Sequence, residues 1–147
     1  MNNAMPARPS GAFVGASWAA LIVGLIAYLV GLWNAQMQLN EKGYYFTILL
    51  LGSFAAVSLQ KTLRDRGEGQ AVTGMYLGFC WMALAGAVVL LGVGLVNATL
   101  ALSEKGFFAM SFVLTLFAII AVQKNVRDVA ALGWQASSVS ATHLSQG

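Results

Sequence analysis

Two stretches of the sequence, 63 residues apart, decide the fold. Residues 31–65 read GLWNAQMQLNEKGYYFTILLLGSFAAVSLQKTLRD, and residues 94–128 read GLVNATLALSEKGFFAMSFVLTLFAIIAVQKNVRD. They agree at polar and charged positions, which a shared apolar composition cannot produce. The coinciding pairs include Asn34/Asn97, Glu41/Glu104, Lys42/Lys105, Gly43/Gly106, Gln60/Gln123, Lys61/Lys124, Arg64/Arg127 and Asp65/Asp128. The chain therefore contains an internal repeat.

Each stretch joins two long apolar runs, and the chain has four of them, at residues 12–33, 44–60, 75–97 and 107–123. None of these runs contains Asp, Glu, Lys, Arg or His. A helix needs about 20 apolar residues, and at least about 17, to cross the hydrocarbon core of a membrane. Strands of a membrane barrel would instead alternate strictly over short segments. The sequence predicts an all-α membrane protein with four transmembrane helices, arranged as two tandem hairpins.

The overall composition agrees with a membrane protein. Hydrophobic residues make up 59% of the chain and charged residues only 9%, with a mean hydropathy of +0.74, whereas soluble domains are roughly a quarter charged. The basic residues lie at the ends of apolar runs and form no clustered basic face, which argues against a nucleic-acid partner.

The basic residues also predict the orientation. Two of them fall in the turns inside the hairpins, Lys42 and Lys105, and six fall at the other ends of the apolar runs: Arg8, Lys61, Arg64, Arg66, Lys124 and Arg127. An excess of Lys and Arg marks the cytoplasmic side. We therefore expect both termini and the central loop to be cytoplasmic and the two turns to face outward.

These assignments divide the chain into five segments. They are a cytoplasmic leader (1–11), a first two-helix repeat (12–66), a cytoplasmic linker (67–74), a second repeat (75–129) and a flexible cytoplasmic tail (130–147). Each repeat enters and leaves on the same side, so the two are parallel repeats related by an axis along the membrane normal.

The repeated pattern GLxNAxxxLxEKG, followed by an apolar span and QKxxRD, resembles the YiaA/YiaB family, whose unit is a two-helix domain. The resemblance covers about residues 8–130. It implies a four-span protein of the bacterial inner membrane, and it implies no activity.

The repeated turn has a structural interpretation. Asn40 and Ser103 are good helix N-cap residues. Glu41 and Glu104 would then lie in the first helical turn, where a carboxylate complements the positive end of the helix dipole. The turn would end one span and start the next.

Glycine follows the Glu-Lys pair in both turns. Gly43 and Gly106 would allow either a close backbone approach or a positive φ that closes the preceding helix. Two functional interpretations remain beside the structural one: a mouth site for an ion or small solute, and a contact with a partner protein.

The charges of the two turns could also pair between the hairpins. Neighbouring side chains on a helix point in different directions, so Glu41 and Lys42 are poor partners for each other. A two-fold relation between the repeats predicts a reciprocal exchange, Glu41 with Lys105 and Glu104 with Lys42.

Small residues at helical spacing predict close helix packing, because glycine and alanine let backbones approach in a membrane. The candidates are Gly31/Ala35, Gly94/Ala98, Ala16/Ala20/Gly24 and Gly74/Gly78. Asn34 and Asn97, at the ends of their spans, could each bond across to a neighbouring helix.

The QKxxRD segments are predicted to continue their helices beyond the membrane. Lys61 with Asp65, and Lys124 with Asp128, are spaced for i,i+4 pairs. The cations of these segments suit a helix C-terminus and could contact anionic headgroups at the cytoplasmic face. Gln60, Arg64, Gln123 and Arg127 complete the candidate interaction residues.

No residue pattern indicates catalysis, a metal site or a cofactor, so we expect no enzyme. Two function classes remain open. One is a non-catalytic membrane module for assembly, packing or a stress-related accessory role, acting with a homo-oligomeric or other membrane partner. The other is a small transporter or channel subunit, with a path lined by Asn34, Asn97 and the Ser and Thr of the second and fourth spans.

Overall fold

The computed structural model describes the backbone of residues 8–145 and the side chains of residues 8–138. Within that range the chain is entirely helical, with α1 (Gly11–Asn34), α2 (Leu39–Gly67), α3 (Gly74–Asn97) and α4 (Leu102–Ser145). All four helices are long and apolar enough to cross a membrane. The predicted all-α fold with four transmembrane helices is confirmed.

Local sequence signals mark the helix ends at one side of the bundle. The hydroxyl of Ser10 accepts a hydrogen bond from the backbone N–H of Phe13 at 3.2 Å and so caps α1. α2 closes at Gly69, whose φ is +77°. The N–H of Gln70 then reaches the carbonyl of Asp65 at 2.9 Å. Glycine adopts this left-handed conformation at little steric cost because it has no Cβ.

The last helix is longer than the sequence suggested. A flexible tail was predicted from residue 130, whereas α4 continues to Ser145. Residues 130–145 contain no proline and are rich in Ala, which favours helix. The apolar pattern ends near residue 123, but these residues can extend a helix without an apolar face.

The two hairpins are interleaved. α1 packs mainly against α4 and α3 mainly against α2, while the two helices of one hairpin have few contacts with each other. α2 and α4 also contact one another and occupy the centre, with α1 and α3 outside them. We call the end with residues 35–38 and 98–101 the turn end, and the end with residues 68–73 the linker end.

An aromatic cluster fills the centre near the turn end. Tyr45 of α2 and Phe108 of α4 stack with ring centroids 5.8 Å apart and an interplanar angle of 21°. These residues are repeat equivalents, 63 positions apart, so they face each other across the two-fold relation between the repeats. Tyr28 packs edge-on against Phe108 and donates its hydroxyl hydrogen to the Tyr45 carbonyl at 2.9 Å. The cluster closes the centre of the bundle.

Two predicted glycines lie at helix contacts. A Cβ on Gly31 would lie 2.7 Å from Cε1 of Phe107, and a Cβ on Gly94 would lie 2.6 Å from Cε1 of Tyr44. The two contacts are repeat equivalents, α1 with α4 and α3 with α2. Both glycines therefore pack helices together, as the sequence predicted.

Other predicted small-residue positions do not pack. A Cβ on Gly74 or Gly78 would have nothing within 4 Å, and Ala16 is exposed. The prediction was wrong for Ala16 because the buried stripe of α1 is Ser17, Gly24, Tyr28 and Leu32. Gly24, which was also predicted, does pack, with a Cβ 3.1 Å from the nitrogen of Thr115. Small size alone did not indicate which face is covered.

Candidate functional site

Each Glu of the repeated turn caps its own helix. The Oε2 of Glu41 accepts a hydrogen bond from the backbone N–H of Gln38 at 2.8 Å, and that of Glu104 accepts one from Ala101 at 2.8 Å. Both carboxylates lie in the first turn, as predicted. They act as the N3 acceptors of capping-box geometry.

The predicted N-cap residues were wrong. α2 and α4 begin at Leu39 and Leu102, so Asn40 and Ser103 lie inside the first turn. The helices can start earlier because the carboxylate three residues past the cap satisfies the N–H of the cap residue.

Each Lys of the turn caps the preceding helix. The Nζ of Lys42 donates to the carbonyl of Trp33 at 2.8 Å, near the end of α1. The Nζ of Lys105 donates to the carbonyl of Val96 at 3.4 Å, near the end of α3. The last carbonyls of a helix lack intrahelical partners, and a cation is favourable there.

The predicted exchange of charges between the hairpins is therefore wrong. None of the ion pairs formed by the described side chains involves Glu41, Lys42, Glu104 or Lys105. In each turn the Glu and the Lys hydrogen-bond instead to unsatisfied backbone groups of the same turn. Each Glu-Lys pair thus closes its own turn.

The glycines that follow the pairs do neither of the things predicted. Gly43 and Gly106 lie within α2 and α4, and among the described residues only Gly69 has a positive φ. A Cβ on either would have nothing within 4 Å. The early helix start removes the need for a special backbone conformation, and nothing in the structure explains glycine there.

The asparagines bond within their own helices. The Nδ2 of Asn34 donates to the carbonyl of Val30 at 2.9 Å, and that of Asn97 donates to Val93 at 2.7 Å. The expected bond to a neighbouring helix is absent at both positions, because the carbonyl four residues earlier is closer at hand. Each amide oxygen is left as an acceptor.

Two pockets at the turn end are repeat equivalents. The first, of about 400 Å³, lies between the start of α2 and the end of α3, and the second, of about 270 Å³, lies between the start of α4 and the end of α1. Their shared positions are Asn40/Ser103, Glu41/Glu104, Tyr44/Phe107, Tyr45/Phe108, Gly94/Gly31, Asn97/Asn34 and Ala98/Ala35. Most of the repeated turn residues border one of these pockets.

The predicted pairs at the linker end are confirmed. Lys61 and Asp65 are joined by a 2.9 Å ion pair, and so are Lys124 and Asp128. The hydrogen bond from Lys61, followed by the one from Arg64, holds the pKa of the Asp65 carboxyl below its usual value. Arg127 repeats the second contact, at 3.5 Å from Asp128.

The two repeated glutamines are partly buried near the linker end. The Nε2 of Gln60 donates to the carbonyl of Ile120 at 3.2 Å. The Oε1 atoms of Gln60 and Gln123 are both buried without a protein hydrogen-bond partner. Gln60 therefore joins α2 to α4 near the linker end.

A pair of polar contacts near the linker end was missed. The Nδ2 of Asn125 donates to the hydroxyl of Ser17 at 3.1 Å, and Asn125 is only 1% exposed. At the equivalent positions, the hydroxyl of Thr62 lies 3.9 Å from the Sγ of Cys80. These contacts join α1 to α4 and α2 to α3. The signal was available, since sliding the sequence by 63 residues superposes the two polar pairs.

The repeat found in the sequence matches a known domain. The model of the yiaA/B two helix domain matches residues 13–65 and again residues 76–128. The chain belongs to the YiaA/YiaB family. The two matched segments correspond to α1 with α2 and to α3 with α4, so the interleaved bundle is formed by two copies of the family domain.

Relatives within this family agree with a membrane location. The chain is 57% identical over 119 residues to "Inner membrane protein YiaA" of Escherichia coli (strain K12), covering 81% of this chain and 82% of that protein. It is 29% identical over 96 residues to "Inner membrane protein YiaB" of the same organism, covering 65% of this chain and 81% of that protein. With the four candidate spans, these matches identify a multi-pass inner-membrane protein.

A shorter match covers a single repeat. The chain is 33% identical over 66 residues to "Uncharacterized membrane protein YubF" of Bacillus subtilis (strain 168), covering 44% of this chain and 76% of that protein. No solved structure matches the chain significantly.

Proposed function

We propose that the protein is a non-catalytic accessory module of the inner membrane, which acts by packing and assembly through its helix faces and turn end. The observation that carries the proposal is the filled centre of the bundle. Tyr28, Tyr45, Phe108 and Phe112 are all at most 3% exposed in a contiguous core. A path through a single chain would have to cross these side chains.

The hydroxyl groups of the central helices support the same proposal. Thr47, Thr62, Ser111 and Thr115 each donate to a carbonyl four residues earlier in their own helix. Such bonds satisfy a hydroxyl locally in an apolar medium. These groups are therefore poor linings for a water-filled path, and Asn34 likewise bonds within its own helix.

The proposed orientation has the turn end outside and both termini in the cytoplasm. The support is the charge distribution, with the Lys and Arg of the QKxxRD segments at the linker end. There, Lys61 and Lys124 are 64% and 56% exposed at their side chains. We infer that they contact anionic headgroups, at about 1 kcal/mol each. The partner could be a second copy or another membrane protein.

The experiment that tests the module against the alternative is a flux assay in proteoliposomes. Purified protein is reconstituted at several protein-to-lipid ratios, and the release of protons, K⁺, Cl⁻ and a small neutral solute is followed. We expect leak rates equal to those of protein-free vesicles. A saturable flux that rises with protein content would contradict the proposal and favour the small transporter or channel subunit, with its path between copies of the chain.

A further inference from the structure

Both turn-end pockets contain hydrogen-bond acceptors that are not needed to cap the helix ends. In each pocket one wall carries a carboxylate, Glu41 in the first and Glu104 in the second. Each accepts one backbone hydrogen bond and makes no ion pair with another described residue. A carboxylate can accept about four hydrogen bonds, so each retains free acceptor capacity.

The neighbouring lysines do not neutralise these carboxylates inside the pockets. Lys42 and Lys105 are bonded to the carbonyls of Trp33 and Val96, and neither lines one of these two pockets. Lys42 borders Glu41 only in a separate pocket on the other side of the first turn. No Lys, Arg or His borders either pocket. The walls are therefore acceptor-rich and negative.

Two further features recur in both pockets. Asn97 in the first and Asn34 in the second donate through their amide nitrogens to their own helices, so their amide oxygens are left to accept. Aromatic rings complete the walls, Tyr44 and Tyr45 in the first and Phe107 and Phe108 in the second. Carboxylate, amide oxygen and ring face together favour a cation that carries N–H donors.

The position of the pockets along the membrane normal indicates the source of such a cation. Both are built where helices begin and end, and in a transmembrane helix these ends reach the interfacial layer of the bilayer. Volumes of about 400 and 270 Å³ are of the size of a small headgroup. We propose that each turn-end pocket binds the primary ammonium of an aminoethyl phospholipid headgroup. This binding does not depend on whether the protein conducts.

The test measures which lipids stay bound to the full-length protein. The protein is exchanged into micelles with equal amounts of phosphatidylethanolamine and phosphatidylcholine of the same chains, and retained lipids are counted by native mass spectrometry. We expect two phosphatidylethanolamine molecules per chain, one after Glu41→Gln or Glu104→Gln, and none above the phosphatidylcholine level after both. Affinity for each altered pocket should fall roughly tenfold, as for a lost charged hydrogen bond.

The glutamine variants keep an oxygen that can accept the capping bond, so the helix starts should persist, which circular dichroism checks. Glu68→Gln is the matched control, because it makes the same charge change at the linker end, where the Glu68 carboxylate lies 3.7 Å from Arg64. It should retain both lipids.

A lipid series tests the proposal without any variant. Retention should fall as the amine is methylated from ethanolamine to choline, because N–H donors are lost. Equal retention along the series, or unchanged retention in the double variant, would overturn the proposal. If free ethanolamine binds while no lipid is retained, the lipid assignment is overturned.

Discussion

The Nζ of Lys42 donates to the carbonyl oxygen of Trp33 across 2.8 Å. This bond joins the start of α2 to the end of α1, while Glu41 caps the start of α2 itself. Glu41 and Lys42 are neighbours in the sequence, but Glu41 caps the start of α2 and Lys42 caps the end of α1. The same division recurs in the second repeat, where Lys105 reaches Val96 at the longer distance of 3.4 Å.

The first prediction concerns these lysines. Lys42→Met keeps the apolar stem and removes the charge at the end of α1, so we expect a loss of about 0.3–1 kcal/mol in unfolding free energy. Lys105→Met should cost less, because its bond is longer. Unfolding of the purified protein in mixed micelles by a denaturing detergent would measure both.

The same variants test whether the two turns are coupled. In a double-mutant cycle between Lys42→Met and Glu104→Gln, we expect a coupling energy no larger than the roughly 0.3–0.5 kcal/mol error of additivity. A clearly larger coupling would restore the charge exchange between hairpins that the structure contradicts.

The second prediction concerns helix contact at Gly94. Leucine there would drive its side chain into the rings of Tyr44 and Tyr45, whose atoms lie 2.6 and 3.1 Å from a Cβ. Overpacking of this kind costs about 1–3 kcal/mol, and more where the backbone must move. The thermal transition of the detergent-solubilised protein should fall accordingly.

Gly92→Leu is the matched control for Gly94→Leu. Gly92 lies on the same helix, two residues away, and a Cβ there would have nothing within 4 Å. Its substitution should leave the transition nearly unchanged. Equal destabilisation by the two variants would show that helix propensity or lipid contact, and not packing, is what glycine provides.

Membrane architecture was readable from the sequence because it depends on length, composition and repetition. Four uncharged apolar runs must become helices in a bilayer. The QKxxRD pattern likewise places Lys61 four residues before Asp65, and the structure has an ion pair between them. The sequence did not predict which helices pack against each other. Repetition indicates two equivalent hairpins, but it is equally compatible with each hairpin packing on itself.

The candidate site was only partly predicted for a related reason. Short polar side chains take the nearest unsatisfied backbone group, and which group is nearest depends on where the helix begins. A shift of the start of α2 from Glu41 to Leu39 displaced Asn40 from the cap and left Gly43 in a regular helix. Element boundaries are the least reliable part of a sequence-based assignment.

The third prediction concerns orientation. Fusions of a compartment-specific reporter after residue 42, after residue 68 and at the C-terminus should report outside, inside and inside, because the basic residues concentrate at the linker end. Replacing the linker-end cations is a further check, since it should lower the fraction of correctly oriented molecules. An external C-terminus would contradict the proposed orientation.

The last prediction follows from the interleaved packing. Gly24 of α1 abuts the backbone of Thr115 in α4, with a Cβ only 3.1 Å from its nitrogen, whereas at the equivalent contact Ala87 of α3 faces Gly52 of α2. In the first contact the glycine is on the outer helix α1, and in the second it is on the central helix α2. Two copies of the first repeat would set Gly24 against Gly52 and leave a void. Two copies of the second would set Ala87 against Thr115 and overfill the contact.

The two repeats should therefore prefer each other to copies of themselves. Residues 1–69 and 70–147, expressed as separate chains with different tags, should co-purify from detergent in equal amounts, and each half should capture its own copies less well. Gly52→Thr in the first half provides a reciprocal test. It fills the void opposite Gly24 in a pair of first halves, and it crowds Phe112 and Ala87 of the second half, whose atoms lie 2.7 and 3.5 Å from a Cβ at Gly52. Self-capture should rise and co-purification should fall. If Gly52→Thr leaves both unchanged, these contacts do not select the partner, and the pairing must depend on the turns or on the linker that joins the repeats.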